Sequence, residues 1–128
     1  MGDPANKNLI PPLLALARYF GGAKKYAEAA PYYFRIISIE EIHSGTKSAK
    51  LIEPLGGLAN TLNCLGKLKL AENVYRRGLA LAKKHLSEKN DWKLFFLGNL
   101  ASILEVTNRE SAANEIKKQM KRILSKKR

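Results

Sequence analysis

The chain is predicted to be all-α, a solenoid of three helical hairpins stacked side by side. Three observations predict this. An apolar skeleton returns at a spacing of 42 residues: Leu13, Leu55 and Leu97 line up, as do Leu16/Leu58/Leu100, Ala17/Ala59/Ala101, Phe20/Leu62/Leu104 and Ala29/Ala71/Ala113. Within each unit the apolar residues recur at intervals of three and four, which places them on one helical face. Three such units account for nearly all of the 128 residues. A period of this length marks a stacked repeat, in which each unit buries its apolar face only against its neighbours. The expectation is one domain over 1–128, with units at about 10–51, 52–93 and 94–128 and helices near 9–22, 25–42, 48–65, 68–86, 91–106 and 109–125.

In the first unit, Leu13, Leu16, Ala17 and Phe20 define the opening helix, and Pro12 fits its first turn, where a missing N–H costs nothing. Gly21 and Gly22 should fray it or end it early. Tyr26, Ala29, Tyr33, Ile36 and Ile37 define the second helix, and His43 to Ser48 read as a turn. In the second unit, Leu55, Leu58, Ala59, Leu62 and Leu65 make the first face, and Gly66 stops it. If that helix begins near Ser48, Pro54 should bend it. Leu68, Ala71, Val74, Tyr75, Gly78, Leu79 and Ala82 continue after a very short turn, so the two helices lie antiparallel and share their apolar faces. Alanine at matched places in all three units suits helices that cross closely, where a branched side chain does not fit. Ser87 to Asp91 offer N-caps before Trp92. The third unit reads Leu97, Leu100, Ala101 and Leu104, then Ala113, Ile116, Met120 and Ile123. Glu110 and Lys117 replace apolar residues there, as the wet outer face of a terminal helix requires.

His43 and His85 are also 42 apart, each at a helix end, which points to a shared structural role near a C-terminal dipole. Cys64 is alone, so neither an intrachain disulfide nor a thiolate metal cluster can form, and it reads as a small half-buried thiol. No cofactor or metal set is expected. A phosphate loop, a nucleophile elbow, a His–Glu metal spacing and a Ser/His/Asp set are all missing, and Glu40 and Glu41 diverge by about 100° on a helix, so the chain does not read as an enzyme. The longest unbroken apolar run is five residues, too short to span a bilayer, and the polar N-terminus has no signal-peptide design; the expected location is cytoplasmic.

Net charge is +12, and residues 109–128 hold eight Lys/Arg against Glu110 and Glu115. A basic cluster of Lys117, Lys118, Lys121, Arg122, Lys126, Lys127 and Arg128, aided by Arg76, Arg77, Lys83 and Lys84, offers a second reading as a surface for nucleic acid or an acidic partner. No aromatics interleave with it to stack bases, and the same charges keep an exposed last helix soluble.

The segments Leu58-Ala59-Asn60-Thr61-Leu62 through Ala71-Glu72-Asn73-Val74-Tyr75, and Lys25-Tyr26-Ala27-Glu28-Ala29 through Tyr33, resemble the tetratricopeptide (TPR) repeat. That unit usually spans 34 residues. The 42-residue period, with Leu97-Gly98-Asn99-Leu100-Ala101, resembles the longer repeats of the kinesin light chain. The resemblance implies a right-handed superhelical solenoid that scaffolds protein–protein contacts, with the first helix of each unit lining a concave groove for a peptide or helix. Counting from the buried Leu/Ala pairs, it places Leu14, Arg18 and Gly21, then Gly56, Asn60 and Asn63, then Gly98, Ser102 and Glu105 in that groove, with Asn99 beside them. Asparagines there would clamp a peptide backbone, Arg18 would take a carboxylate, and Gly56, Gly57 and Gly98 would admit a ligand backbone or ease helix packing. Glycine at 56 and 98 argues against the family's carboxylate clamp. Leu14, Tyr19 and Phe20 on the first helix leave apolar surface that either a second copy, in a homodimer, or an upstream repeat unit would cover.

Overall fold

A computed structural model describes residues 2–127, and Arg128 of the basic cluster lies outside them. Its described residues form six α-helices, α1 (Ile10–Gly22), α2 (Tyr26–Ser44), α3 (Ile52–Cys64), α4 (Leu68–His85), α5 (Asp91–Val106) and α6 (Glu110–Lys126), with short 3-10 turns at Lys7–Leu9 and Ala49–Leu51. The helices pair as α1/α2, α3/α4 and α5/α6, and the pairs stack through α2 on α3 and α4 on α5. Packing therefore runs almost entirely between chain neighbours, the one-dimensional order of a helical-repeat solenoid.

The repeated small and large apolar positions form the core. Ala17, Ala59, Ala29 and Ala71 are fully buried, Ala101 and Ala113 nearly so, and Leu13, Leu55 and Leu97 are at most 5% exposed. One column departs: Leu58 and Leu100 are buried, but Leu16 is 41% exposed. Tyr19 behaves alike, 69% exposed where its counterparts Thr61 and Ile103 are buried. Both face the side of α1 that the preceding hairpin covers in later units. The open apolar edge thus consists of Leu16 and Tyr19. Leu14 instead faces a groove described below, and Phe20 stacks on Tyr32 with ring centroids 5.8 Å apart.

The helix boundaries follow from proline and from left-handed residues. Pro12 and Pro54 are each the third residue of an α-helix preceded by a 3-10 turn, at identical places in the period. A proline cannot join an i→i−4 ladder, so the chain enters by a tighter turn and no bend at Pro54 is needed. The third unit has Phe96 in that place, and α5 runs as regular α-helix from Asp91, capped by Asn90 through a 2.8 Å bond to the Trp92 amide. At the other end α1 includes both Gly21 and Gly22, contrary to the expected early stop. The stop lies at Lys24, whose φ of +60° matches those of Gly66 (+77°) and Asn108 (+60°), each 42 residues on. All three turns close with the same bonds, from the next amide to a carbonyl five residues back: Lys25 to Phe20 at 2.8 Å, Lys67 to Leu62 at 3.0 Å and Arg109 to Leu104 at 2.8 Å. That is the Schellman closure, and only the middle copy carries the glycine that signals it in sequence.

Histidines tie the units at their ends. His43 Nε2 donates to the Ala5 carbonyl and His85 Nε2 to the Lys47 carbonyl, the same clamp one period apart. In the third unit lysines take over: Lys127 pairs with Asp91 and Lys126 with Glu88, each at 2.6 Å. Cys64 is exposed at the end of α3, not half-buried. No described helix is long and apolar enough to cross a membrane.

Candidate functional site

A pocket of about 300 Å³ opens between the three first helices, α1, α3 and α5. It brings together four of the residues expected in the groove: Leu14 and Arg18 from α1, and Gly56 and Asn60 from α3. Its remaining walls are Tyr33, Glu53, Gly57, Trp92 and Phe95. The third unit therefore contributes its first turn rather than positions 98 to 105. Gly98 meets only the Met120 methyl, at an ordinary distance for an added Cβ. Asn99 donates to the Phe95 carbonyl of its own helix at 2.8 Å, and Ser102 to that of Gly98 at 3.2 Å. Glu105 turns toward α6 and pairs with Lys117 at 3.0 Å. Asn63 lies further along α3, partly buried beside Tyr75.

The glycines of α3 exist for this chain's own rings. A Cβ at Gly56 would come within 2.6 Å of the Trp92 ring, and one at Gly57 would fall on the ring of Tyr33. The rings take the space a Cβ would need, which gives both glycines a packing role, and both also line the pocket. Trp92, Phe95 and Phe96 pack on one another with centroids 5.3 to 5.8 Å apart, each contact worth about 0.5–1.5 kcal/mol beyond area. The aromatic wall is thus held from behind by fully buried Phe96.

The mouth of the pocket is polar. Arg18 pairs with Glu53 at 2.5 Å across α1 and α3, with both side chains more than half exposed. A pair so wet contributes about 1 kcal/mol at most, so a ligand carboxylate competes with Glu53 for Arg18 rather than meeting a vacant cation. Burial raises the Tyr33 phenol above its usual range, the charge of Arg18 opposes that rise, and Glu53 adds to it. Tyr33 therefore stays a neutral donor at the pocket wall. Sequence reading missed Tyr33, Trp92 and Phe95 because it counted helix positions without side-chain length. The Gly56-Gly57 pair, requiring large neighbours to fill its space, was the available signal.

The basic cluster is largely neutralised. Lys117, Lys126 and Lys127 pair with carboxylates on or before α5, and Lys118 pairs with Glu115 at 3.1 Å. Arg76 and Arg109 converge on Glu72, and Arg77 reaches Glu41 at 2.7 Å. Among the described residues only Lys121 and Arg122 of the cluster lack an ion pair, and no group of three His, Cys, Asp or Glu is placed to hold a metal.

No family model matches the chain, and no curated protein matches it. Among solved structures it is similar to a kinesin light chain-like protein of Podosopora anserina built of nearly identical TPR-like repeats, with a TM-score of 0.78 and 16% identity over 99% of this chain. A single-substitution variant of that protein matches with the same TM-score at 17% identity over 98% of this chain. The chain spans about 60% of the length of those repeat proteins. At such identities the likeness is one of fold, and the TPR-like fold is what it shows.

Proposed function

We propose that the chain is a protein-interaction module that takes up an extended peptide or a helix in the pocket between its first helices. The observation that carries the reading is a single opening in which an aromatic wall, Trp92 and Phe95, faces a polar side of Arg18, Glu53 and Asn60. A mostly apolar concavity with a few convergent polar groups is the usual form of a binding site. Rings locked by their neighbours lose little entropy on binding, and aromatic side chains of this kind anchor protein contacts. Leu14 offers a further apolar contact, and Asn60 both donates and accepts, which suits a peptide backbone. The TPR-like fold supports the reading, because stacked hairpins present their first helices as one continuous surface.

The basic cluster supports a weaker second reading. Its lysines are mostly spent on carboxylates of the same chain, and neutralising phosphates would require breaking those pairs.

Selection from a displayed peptide library, followed by fluorescence anisotropy on the selected peptides, tests the proposal. The double variant Arg18→Ala, Asn60→Arg changes two exposed side chains and leaves the core intact. It should weaken binding at least tenfold. Unchanged affinity would remove this pocket from the account.

A further inference from the structure

A second crevice, distinct from the groove, lies where the ends of α4 and α6 meet the start of α5, and the geometry points to it as a binding site for a phosphoryl group. It holds about 150 Å³ and is lined by Lys83, Lys93, Gln119 and Arg122, with Glu88 at its rim and Leu97 and Ile123 at its floor. At about 30 Å³ per liquid water, that is room for a single phosphate with few waters beside it.

The argument comes from comparing the crevice with its counterpart one period earlier. There, Glu41, Thr46, Lys47, Arg77, Ala80, Leu81 and Lys84 line the opening. Arg77 is satisfied by Glu41 at 2.7 Å and by the Thr46 carbonyl at 3.1 Å, so cation and counterion arrive together. In the later crevice the position of Glu41 is Lys83 and that of Arg77 is Gln119, which accepts from Lys83 at 3.2 Å. Arg122 stands where Ala80 does. Lys93 stands where Leu51 does, and Leu51 is fully buried. The carboxylate moves from the place of Glu41 to that of Thr46, where Glu88 stands, and two cations are gained at places the earlier unit fills with apolar residues.

Lys93 is the sharpest feature. It is only 8% exposed, and its side chain has no ion-pair or hydrogen-bond partner among the described residues. It also sits in the first turn of α5, where the helix dipole is positive and a cation is disfavoured. Its stem is buried while its ammonium still reaches solvent in the crevice, where Glu88 acts on it through charge alone. Glu88 is the one carboxylate lining the crevice, and it is held by Lys126 at 2.6 Å. An incoming dianion would meet Lys83, Lys93 and Arg122 together, with the amide of Gln119 as a further donor. The small volume and the lack of aromatic lining favour a terminal phosphate monoester over a continuous nucleic-acid backbone with stacked bases.

Calorimetric titration of the full chain at low salt tests this with three probes: inorganic phosphate, a short phosphoserine peptide, and the same peptide unphosphorylated. Phosphate and the phosphopeptide should bind and the unphosphorylated peptide should not. Tighter binding of the phosphopeptide than of phosphate identifies a protein segment as the source, and equal binding identifies a small phosphate compound. Lys93→Leu restores the residue of the Leu51 position and should fold at least as well, yet weaken binding at least tenfold. Arg18→Ala with Asn60→Arg should leave it unchanged, which separates this site from the groove. Binding unaffected by Lys93→Leu, no binding of phosphate or phosphopeptide, or a Lys93-dependent preference for single-stranded oligonucleotide over both would overturn the proposal.

Discussion

Gly78 is the eleventh residue of α4, in mid-helix, where glycine costs about 0.5–1 kcal/mol relative to alanine. Helix propensity alone therefore predicts that Gly78→Ala stabilises. Packing predicts the opposite. A Cβ at Gly78 would fall on the Phe96 ring, which is fully buried. That ring is held by Trp92 at 5.8 Å, Phe95 at 5.4 Å and Tyr75 at 6.4 Å, so it moves only by displacing the cluster. Overpacking a rigid site costs about 1–3 kcal/mol, and a ring fixed on several sides belongs in the upper half of that range. After the propensity gain is subtracted, Gly78→Ala should destabilise by about 1–2 kcal/mol. With a urea dependence of about 2 kcal/mol per molar, the midpoint should fall by roughly 0.5–1 M. Gly21→Ala is the matched control, since nothing lies within 4 Å of its Cβ, and it should gain up to about 1 kcal/mol. Urea unfolding followed by helical circular dichroism reads both. If the two variants shift the midpoint upward alike, Phe96 is not fixed and the aromatic wall of the groove is not preorganised.

Lys24 holds a left-handed conformation that its counterpart Gly66 adopts freely, so Lys24→Gly should stabilise by about 1 kcal/mol and Gly66→Ala should destabilise by a similar amount, read as Tm shifts of opposite sign. The Tyr75 hydroxyl is buried with no hydrogen-bond partner, Asn63 lying near it but out of bonding geometry; burial pushes the phenol up to about 12, and Tyr75→Phe should raise stability by about 1 kcal/mol in urea. Glu72 accepts from Arg109 through both oxygens and from Arg76. The Arg109 bonds hold its carboxyl below the usual glutamate range against the opposing effect of burial, with Arg76 assisting. Because the folded value is depressed, this stabilisation is complete above the ordinary glutamate range and is lost as pH falls through the depressed value. Glu72→Gln should therefore cost about 1–2 kcal/mol near neutral pH and should flatten the fall of the urea midpoint toward acid. A variant with the same acid slope as the parent would exclude Glu72 as its source.

The helical layout was legible because it rests on period and side-chain size, both local to the chain. Six helices stand within a few residues of the places that apolar spacing assigns, and the paired alanines are buried as close crossing requires. The largest boundary difference is the start of α3, at Ile52 rather than near Ser48, because a 3-10 turn leads into Pro54. Left-handed stops at Lys24 and Asn108 carry no glycine, so their backbone state is visible only by alignment with Gly66. The groove was half legible. Leu14, Arg18, Gly56 and Asn60 meet in the pocket because they lie on facing turns of α1 and α3, which helix geometry fixes. Asn99, Ser102 and Glu105 bond within α5 or to α6, choices made by neighbours that spacing does not describe.

Periodicity alone thus determined that the chain forms stacked helical hairpins, because burying a stripe at intervals of three and four on short-linked helices has few solutions. Only the tertiary structure decided where the openings lie and what charge they carry. Trp92 and Tyr33 fill the space left by Gly56 and Gly57, most of the basic residues of the C-terminal cluster find carboxylates 3 to 38 residues away, and Lys93 takes a leucine's place with no carboxylate at ion-pair distance. Those outcomes depend on side-chain reach across helices, and the spacing along one helix does not contain it.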